Sequence, residues 1–533
     1  MATGARLRGR QRGVAMRIIG TGHAGLRIET VAGSILCDPW CTPAYFASWF
    51  PFPANGDLDW HALGEADFLY VSHLHRDHCD PDLLRRHVRK DARVLLPDYP
   101  TAELEETLRD LGFRSFIRTR HARPLEIGGL RVMIIALTSP TDGPIGDSAL
   151  ALDDGTACVF NQNDAHPLDM EQVRAFGSVD AHLLQFSGAI WWPMVYDLPG
   201  PAKEEFARRK RERQTERAFR YVDALGARHV FPNAGPPCFL DEGLEHLNDP
   251  ARNPMSIFTD QVSFLDEMRA SGRCNGELLL PGTEVDLDRG RMRVRQPWTP
   301  EQIRRTFVSD RTAYLRAYAE RSRAAIDAER RGRTDGGVDV VAELKAWWEP
   351  LLGQAERICA GVGGPVRFEV GDTAFVVDFP AREVRAWAGE RCRYWFRAER
   401  SLVHTCIRRR EPDWVNSLFL SLRFAAGRVG PYNEYVYTFF KCLTPERISY
   451  AEGWYAKREA GDEEIALDGW RVQRRCPHLM ADLAQFGEVA DGVLTCHMHG
   501  WRFELASGRC LTSPGHTLRA RPAAPAHSPG HPV

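Results

Sequence analysis

The chain has 533 residues, 44% of them hydrophobic and 26% charged, and a formal net charge of −2. That is enough apolar material for about three cored domains, and the near-balanced charge argues against a dedicated nucleic-acid binder. There is no apolar run of about 18 residues or more, so no membrane span is expected, and the 13 scattered cysteines fit a reducing cytoplasm better than a disulfide framework.

The first 15 residues are rich in arginine and free of acid, but they lack the apolar core of a secretory signal. From residue 16 to about 290, short apolar runs such as Met133-Ile134-Ile135-Ala136-Leu137 alternate with helical stretches such as Ala102 to Leu111, an α/β pattern. Gly20-Thr21-Gly22-His23-Ala24-Gly25 and Ile35-Leu36-Cys37-Asp38-Pro39-Trp40 stand early in this region. Phe68-Leu69-Tyr70-Val71 reads as a buried strand, and the turn after it carries His73, His75, Asp77 and His78. So many imidazoles and a carboxylate converging on one point cost desolvation and like-charge energy unless a cation sits there. Further on, Cys158-Val159-Phe160-Asn161-Gln162-Asn163 reads as a strand that ends on Asp164.

The His-x-His-x-Asp-His run resembles the metal motif of the metallo-β-lactamase superfamily, and the early segments resemble its lactonase-like branch. The resemblance implies two sheets sandwiched between helices (αββα), with metal ligands on loops at one edge. It implies His73, His75, Asp77 and His78 as ligands, Asp77 and His78 nearest to catalysis, Asp164 as the bridging carboxylate, and Asp38 and His23 in supporting places. His23 reads equally well as a structural hydrogen-bonding residue.

Two departures stand out. The superfamily's histidine between the motif and the bridging aspartate is missing from Thr138 to Asp147, where Asp142 or Asp147 could replace it. The late histidine is not evident either, because His229 falls inside a strand and Asn233 on its loop. Carboxylate in place of imidazole shifts the preference from zinc towards iron or manganese. One metal or two stays open.

Ala202 to Leu225 reads as a basic helix, with Arg208, Arg209, Arg211, Arg213, Arg217 and Arg220 among its charges. Its glutamates favour a solvated, ion-paired face over arginines reaching an anionic substrate. Residues 301 to 332 are helical in pattern with a Tyr314, Tyr318, Ile326 stripe, and Gly332 to Gly337 breaks the chain. The segment from 338 to 447 reads as an α+β module that faintly resembles a sterol carrier. It has a helix through Trp347-Trp348, strands at Val366 to Val370 and Ala374 to Phe379, and an apolar helix from Trp414 to Ala426. Its aromatics read as core, and His404 as a sheet histidine.

The chain closes on Cys476-Pro477-His478 and Cys496-His497-Met498-His499, followed by Gly500-Trp501-Arg502-Phe503. Two thiolates and two imidazoles fit a zinc site or a 2Fe-2S cluster with one histidine-ligated iron. The flanking residues resemble Rieske ferredoxins and the Rieske domains of oxygenases. That implies an all-β domain whose cluster is held by Cys476, His478, Cys496 and His499. The extra cysteines of respiratory Rieske proteins are absent, which points to the low-potential kind that feeds oxygenases.

The expected domains are 16–295 for the metal domain, 296–337 for a helical linker, 338–447 for the middle module, 448–521 for the Rieske domain and 522–533 for a disordered tail. Residues 16 to 290 also resemble the CMP-N-acetylneuraminate hydroxylase family, through Gln185-Phe186-Ser187-Gly188-Ala189, Trp191-Trp192-Pro193-Met194 and Phe231-Pro232-Asn233-Ala234-Gly235. The domain order is reversed relative to that family. No two-histidine, one-carboxylate triad stands out elsewhere in the chain, which places catalysis in the N-terminal domain.

The expectation is a cytoplasmic, Rieske-coupled non-haem iron monooxygenase, in the first instance a hydroxylase. It would take electrons from a flavin reductase or ferredoxin and act with molecular oxygen on a small molecule, which could be anionic. The N-terminal iron would be mono- or dinuclear, with zinc as the alternative. A zinc hydrolase of lactonase or phosphoesterase type with a regulatory Rieske domain is the rival, and a pure electron carrier is a third reading. A homo-oligomer is compatible with all of them.

Overall fold

The computed structural model describes residues 16–140, 145–333, 336–457, 463–513 and 515–523. The arginine-rich start, Asp142, part of the Gly332 to Gly337 break and the tail from 524 onwards lie outside the described residues.

Two sheets form the N-terminal sandwich. The first has eight strands in the order Arg291–Arg295, Glu284–Asp288, Met16–Gly22, Gly25–Thr30, Gly33–Cys37, Phe68–Tyr70, Arg93–Leu96 and Phe116–Arg118. The second has six, in the order His229–Asn233, Ala181–Gln185, Cys158–Asn163, Asp147–Asp153, Leu130–Leu137 and Leu125–Ile127. Strand side chains alternate between faces, and the partition is clean in Leu130–Leu137. Val132 and Ile134 enter the core between the sheets with Ile18, Ile28 and Phe231. Met133 and Ile135 point the other way. The outer face of the first sheet, through Leu36, Leu69 and Val94, is covered by the helices Pro81–His87 and Glu103–Asp110. This is the sandwich of two sheets with helices outside that the resemblance of the metal motif implies.

The helix Arg311–Gly332 lies back on this domain, burying Tyr318 and Ile326 against Phe50, Phe52 and Cys238. The middle module is a five-stranded sheet, Glu383–Ala386, Thr373–Asp378, Pro365–Val370, Tyr394–Ala398 and Phe424–Arg428, packed with helices. Its aromatics make the core: Trp348, Phe368, Trp414 and Phe440 interlock at ring-centroid separations of 4.8 to 6.4 Å.

Two sequence expectations fail here. Trp414 to Ala426 is not a helix but a run of turns leading into the strand Phe424–Arg428, because those apolar residues fill the core from an irregular segment. His404 lies not in a sheet but in the helix Arg400–Arg409, which buries a broad face rather than a narrow stripe and so hides its period. The helix Pro445–Lys457 runs across the expected boundary at 447/448 and packs on the middle module's helices.

The C-terminal segment is all-β apart from the short helix Leu483–Phe486. It has one three-stranded sheet of Glu464–Leu467, Trp470–Gln473 and Ala520–Pro522, and another of Gly487–Ala490, Val493–Cys496 and Trp501–Glu504. Pro522, expected to begin the tail, pairs with Trp470 instead. The outer face of the six-stranded sheet meets this segment. Met133, Ile135, Phe160, Tyr221, Cys476, Met498 and Trp501 belong to one continuous buried cluster.

Candidate functional site

The run His73 to His78 leaves the strand Phe68–Tyr70 as a tight turn, with the amides of His78 and Cys79 donating to the carbonyl of His75. Two side-chain groups there place ligand atoms within 4.8 Å of one another: His23 with Asp77 and His78, and His73 with His75 and Asp164. His78 Nε2 stands 3.4 Å from Asp164 Oδ2, so the groups adjoin, with Asp164 at their junction.

Each ligand candidate is held from behind. Asp38 accepts from the Ser72 amide at 2.6 Å and faces His78 Nδ1 at 3.2 Å. Asp77 accepts from the Tyr45 hydroxyl at 2.5 Å and lies 3.0 Å from His23 Nε2. Asp147 sits on Nδ1 of His73 at 3.3 Å, where the Ser72 hydroxyl also lies. Asp147 therefore steadies the ring of His73 and belongs to neither ligand group, whereas His23 belongs to one. His23, Asp38 and Asn163 have φ values of 53°, 40° and 41°. Left-handed backbone of this kind is uncommon outside glycine and gathers at functional sites.

The electrostatics fit a cation. Nε2 of His73, His75 and His78 and Oδ1 of Asp164 are buried without a hydrogen-bond partner, an arrangement that native interiors avoid unless something else satisfies those atoms. Burial, then the neighbouring His73, pushes His75 down to about 3, so its imidazole is neutral and ready to ligate. Burial opposes ionisation of Asp77, but the His23 hydrogen bond and the surrounding histidines override it and hold that carboxyl well below the usual range. Imidazoles with carboxylates suit iron and zinc alike.

In the C-terminal domain the two ligand loops fold towards each other. Burial raises the Cys476 thiol well above its ordinary value, and the hydrogen bond from Cys476 holds Cys496 below its own. The His478 and His499 rings meet edge-on at 5.0 Å, and His478 stacks on Trp501 at 3.8 Å. Two facing thiols and two facing imidazoles fit a 2Fe-2S cluster with one histidine-ligated iron. Gly500, at φ +73°, closes the second loop, and a Cβ there would stand 2.8 Å from Arg213.

Three residues around these centres had escaped the sequence reading. Glu434, fully buried at the start of the helix Glu434–Lys441, places its carboxylate 3.3 Å from His478 Nε2 and 3.1 Å from His516 Nε2. His166 turns its ring edge to His499 at 6.3 Å between centroids. His166 lies two residues after Asp164, which was a usable signal; Glu434 and His516 had none, since the fold alone brings them to the cluster loops. The basic helix, Gly200–Leu225, is also corrected. Arg208 and Arg209 pair with glutamates on its exposed face, but Arg217 donates to the Met498 carbonyl at 3.2 Å and Arg220 reaches Glu488 at 3.1 Å. Arg217 and Arg220 thus dock the C-terminal domain.

A cavity of about 410 Å³ is lined by Asp147 and His166 of the sandwich, by Leu479, Met480 and His499 of the cluster loops, and by Trp454 of the middle module. No helix among the described residues is long and apolar enough to cross a membrane.

Residues 340–457 match the family model of the Rv3818-like, SCP2-like domain, and residues 457–521 match the Rieske [2Fe-2S] domain. A Mycobacterium tuberculosis protein named as a Rieske 2Fe-2S iron-sulfur protein, Rv3818, is 51% identical over 513 residues, covering 95% of this chain and 99% of its own. Among solved structures, the metallo hydrolase Igni18 of Ignicoccus hospitalis is 17% identical with a TM-score of 0.34, covering 53% of this chain and 99% of its own. CmlA, a diiron β-hydroxylase of Streptomyces venezuelae, is 19% identical with a TM-score of 0.33, covering 54% of this chain and 55% of its own. Near-complete alignment at half identity with the mycobacterial relative, together with the two domain matches, places this chain in the family of Rv3818-like Rieske iron-sulfur proteins.

Proposed function

We propose that the protein is an oxygenase, in the first instance a hydroxylase, that takes single electrons at Cys476, His478, Cys496 and His499 and uses them at His23, His73, His75, Asp77, His78 and Asp164. The observation that carries this reading is one cavity lined both by Asp147, which sits behind His73, and by His499. A hydrolase needs no electrons, and a simple carrier needs no second ligand cluster. When bound, a Rieske cluster supplies single electrons and non-haem iron supplies oxygen activation.

The chain's own residues supply position. Tyr45 and His23 fix Asp77, Asp38 fixes the imidazole of His78, and Asp147 with Ser72 fixes that of His73. Such outer partners set ring orientation and ligand basicity. The cavity wall is apolar at Ile135, Leu137 and Leu479, which keeps bulk water from the reacting region, and polar at His121 and Arg475, which can orient a small substrate. Arg475 is engaged by Asp169 at 3.5 Å, so a substrate would meet a paired charge rather than a bare cation. The external donor is a flavin reductase or a ferredoxin.

Protein purified without air is expected to hold more iron than the two atoms of one cluster. His75→Ala is expected to abolish reductant-dependent oxygen uptake and product formation while the Rieske visible and EPR signals persist. Full activity in that variant would overturn the site. Zinc in place of iron in the N-terminal domain, with turnover under nitrogen, would make the protein a hydrolase.

A further inference from the structure

Resting on that reading, we infer that His166 is the bridge by which electrons leave the Rieske cluster for the N-terminal centre. Two observations are independent of each other. The ring of His166 meets that of His499 edge-on at 6.3 Å. In the chain, His166 follows Asp164, whose carboxylate joins the His73 and His75 group, with only Ala165 between them. Two trans peptide units hold the Cα atoms of Asp164 and His166 within about 7.6 Å of each other. The route therefore contains one through-space step, between the two imidazoles, and is otherwise covalent. Tunnelling decays more slowly along bonds than across a gap, and the alternative crossing is the open cavity.

The segment is clamped to keep this relation. The amide of Ala165 donates to the Gln162 carbonyl at 3.0 Å, and the Gln162 side-chain amide returns a bond to the Ala165 carbonyl at 2.9 Å. Gln162 is itself held by His182 Nε2 at 2.8 Å. On the other side of His166, the Tyr221 hydroxyl donates to the Pro167 carbonyl at 2.9 Å and lies 3.2 Å from the Met498 sulfur. One tyrosine thus touches the residue after His166 and the residue before His499, and fixes their distance. With both groups bound, the step would be a one-electron exchange in which the reduced cluster gives up one electron and a ferric ion held by the N-terminal residues gains it, with no bond between heavy atoms formed or broken.

The test uses the full-length, iron-loaded protein. It is reduced with one equivalent of dithionite under argon and mixed with oxygenated buffer, and reoxidation of the cluster is followed by its visible absorbance. His166→Ala is expected to slow reoxidation by an order of magnitude or more, with the cluster's EPR spectrum and midpoint potential unchanged. His166→Phe, which keeps a ring in the gap, is expected to restore most of the rate. Should His166→Ala lose its cluster, the comparison passes to Phe against Leu, a side chain that stops short of His499 and is expected to be the slower. Reoxidation at the wild-type rate in the Ala variant, or in the Leu variant where Ala fails to assemble, overturns the bridge. His75→Ala separates this outcome from failure of the functional reading. If His75→Ala reoxidises as fast as the wild type, the N-terminal centre is not the acceptor; if it is slow and the His166 variants are fast, only the bridge is wrong.

Discussion

Glu434 concentrates the chemistry of the cluster pocket in one side chain. Burial opposes its ionisation, but the imidazoles of His478 and His516, 3.3 and 3.1 Å away, override that and hold it well below the usual carboxylate range. It is therefore a negative charge against a proposed cluster ligand at neutral pH. A charge of that sign disfavours the extra electron of the reduced cluster, and hydrogen bonding and burial are among the levers that set such potentials. Glu434→Gln is expected to raise the midpoint potential by some tens of millivolts, read by EPR-monitored redox titration. His182 shows the opposite case. It is fully buried and pushed down to about 3 by burial alone, so the folded chain keeps it neutral while the unfolded chain takes up a proton below about 6.5. Its contribution is complete above that pH and lost as the pH falls towards the folded value, costing about 2 kcal/mol of stability by pH 5. His182→Gln is expected to flatten the fall of the N-terminal unfolding midpoint between pH 7 and pH 5, measured by urea titration.

Among the elements, those with a clear period or a dense motif were legible: the strand into His73 and the helices Gly200–Leu225 and Val340–Gln354 fall where the pattern puts them. What failed was the partner of a face. The arginines of Gly200–Leu225 balance their glutamates in sequence, and nothing local says that Arg217 and Arg220 look at another domain more than 260 residues away. The turn segment before Phe424 failed because apolar composition without a period cannot separate a helix from a packed loop. One contact between elements invites measurement. Arg447, on the helix Pro445–Lys457, is buried and bonds Glu103 of the helix Glu103–Asp110 at 2.5 Å and Asp413 at 3.3 Å, joining the middle module to the sandwich. Burial opposes its charge, and the bond to Glu103 with the field of Asp413 overrides this and raises it. Arg447→Met leaves two carboxylates without their counter-charge and is expected to cost about 3 to 5 kcal/mol, seen as a lower unfolding midpoint with cluster content retained.

At the scale of the molecule, the fold classes at the two ends of the chain were readable because metal and cluster motifs are short, dense and chemically demanding. Their mutual placement was not. The run Met133 to Leu137 is apolar on both faces, which announces that both are covered without saying by what. The structure answers with the Rieske domain. The domain order left it open whether the two ligand sets lie near each other; one cavity is lined both by Asp147, which sits behind His73, and by His499.

The cluster loops share an interior with the six-stranded sheet, Cys476 and Met498 lying in the same buried group as Ile135 and Phe160. Electron carriers that swing between a donor and an acceptor need a hinge and a face they can release. This head is cemented to the sandwich, so under the proposed function the journey falls to the other party: whatever loads the cluster would come to the protein, deliver and depart.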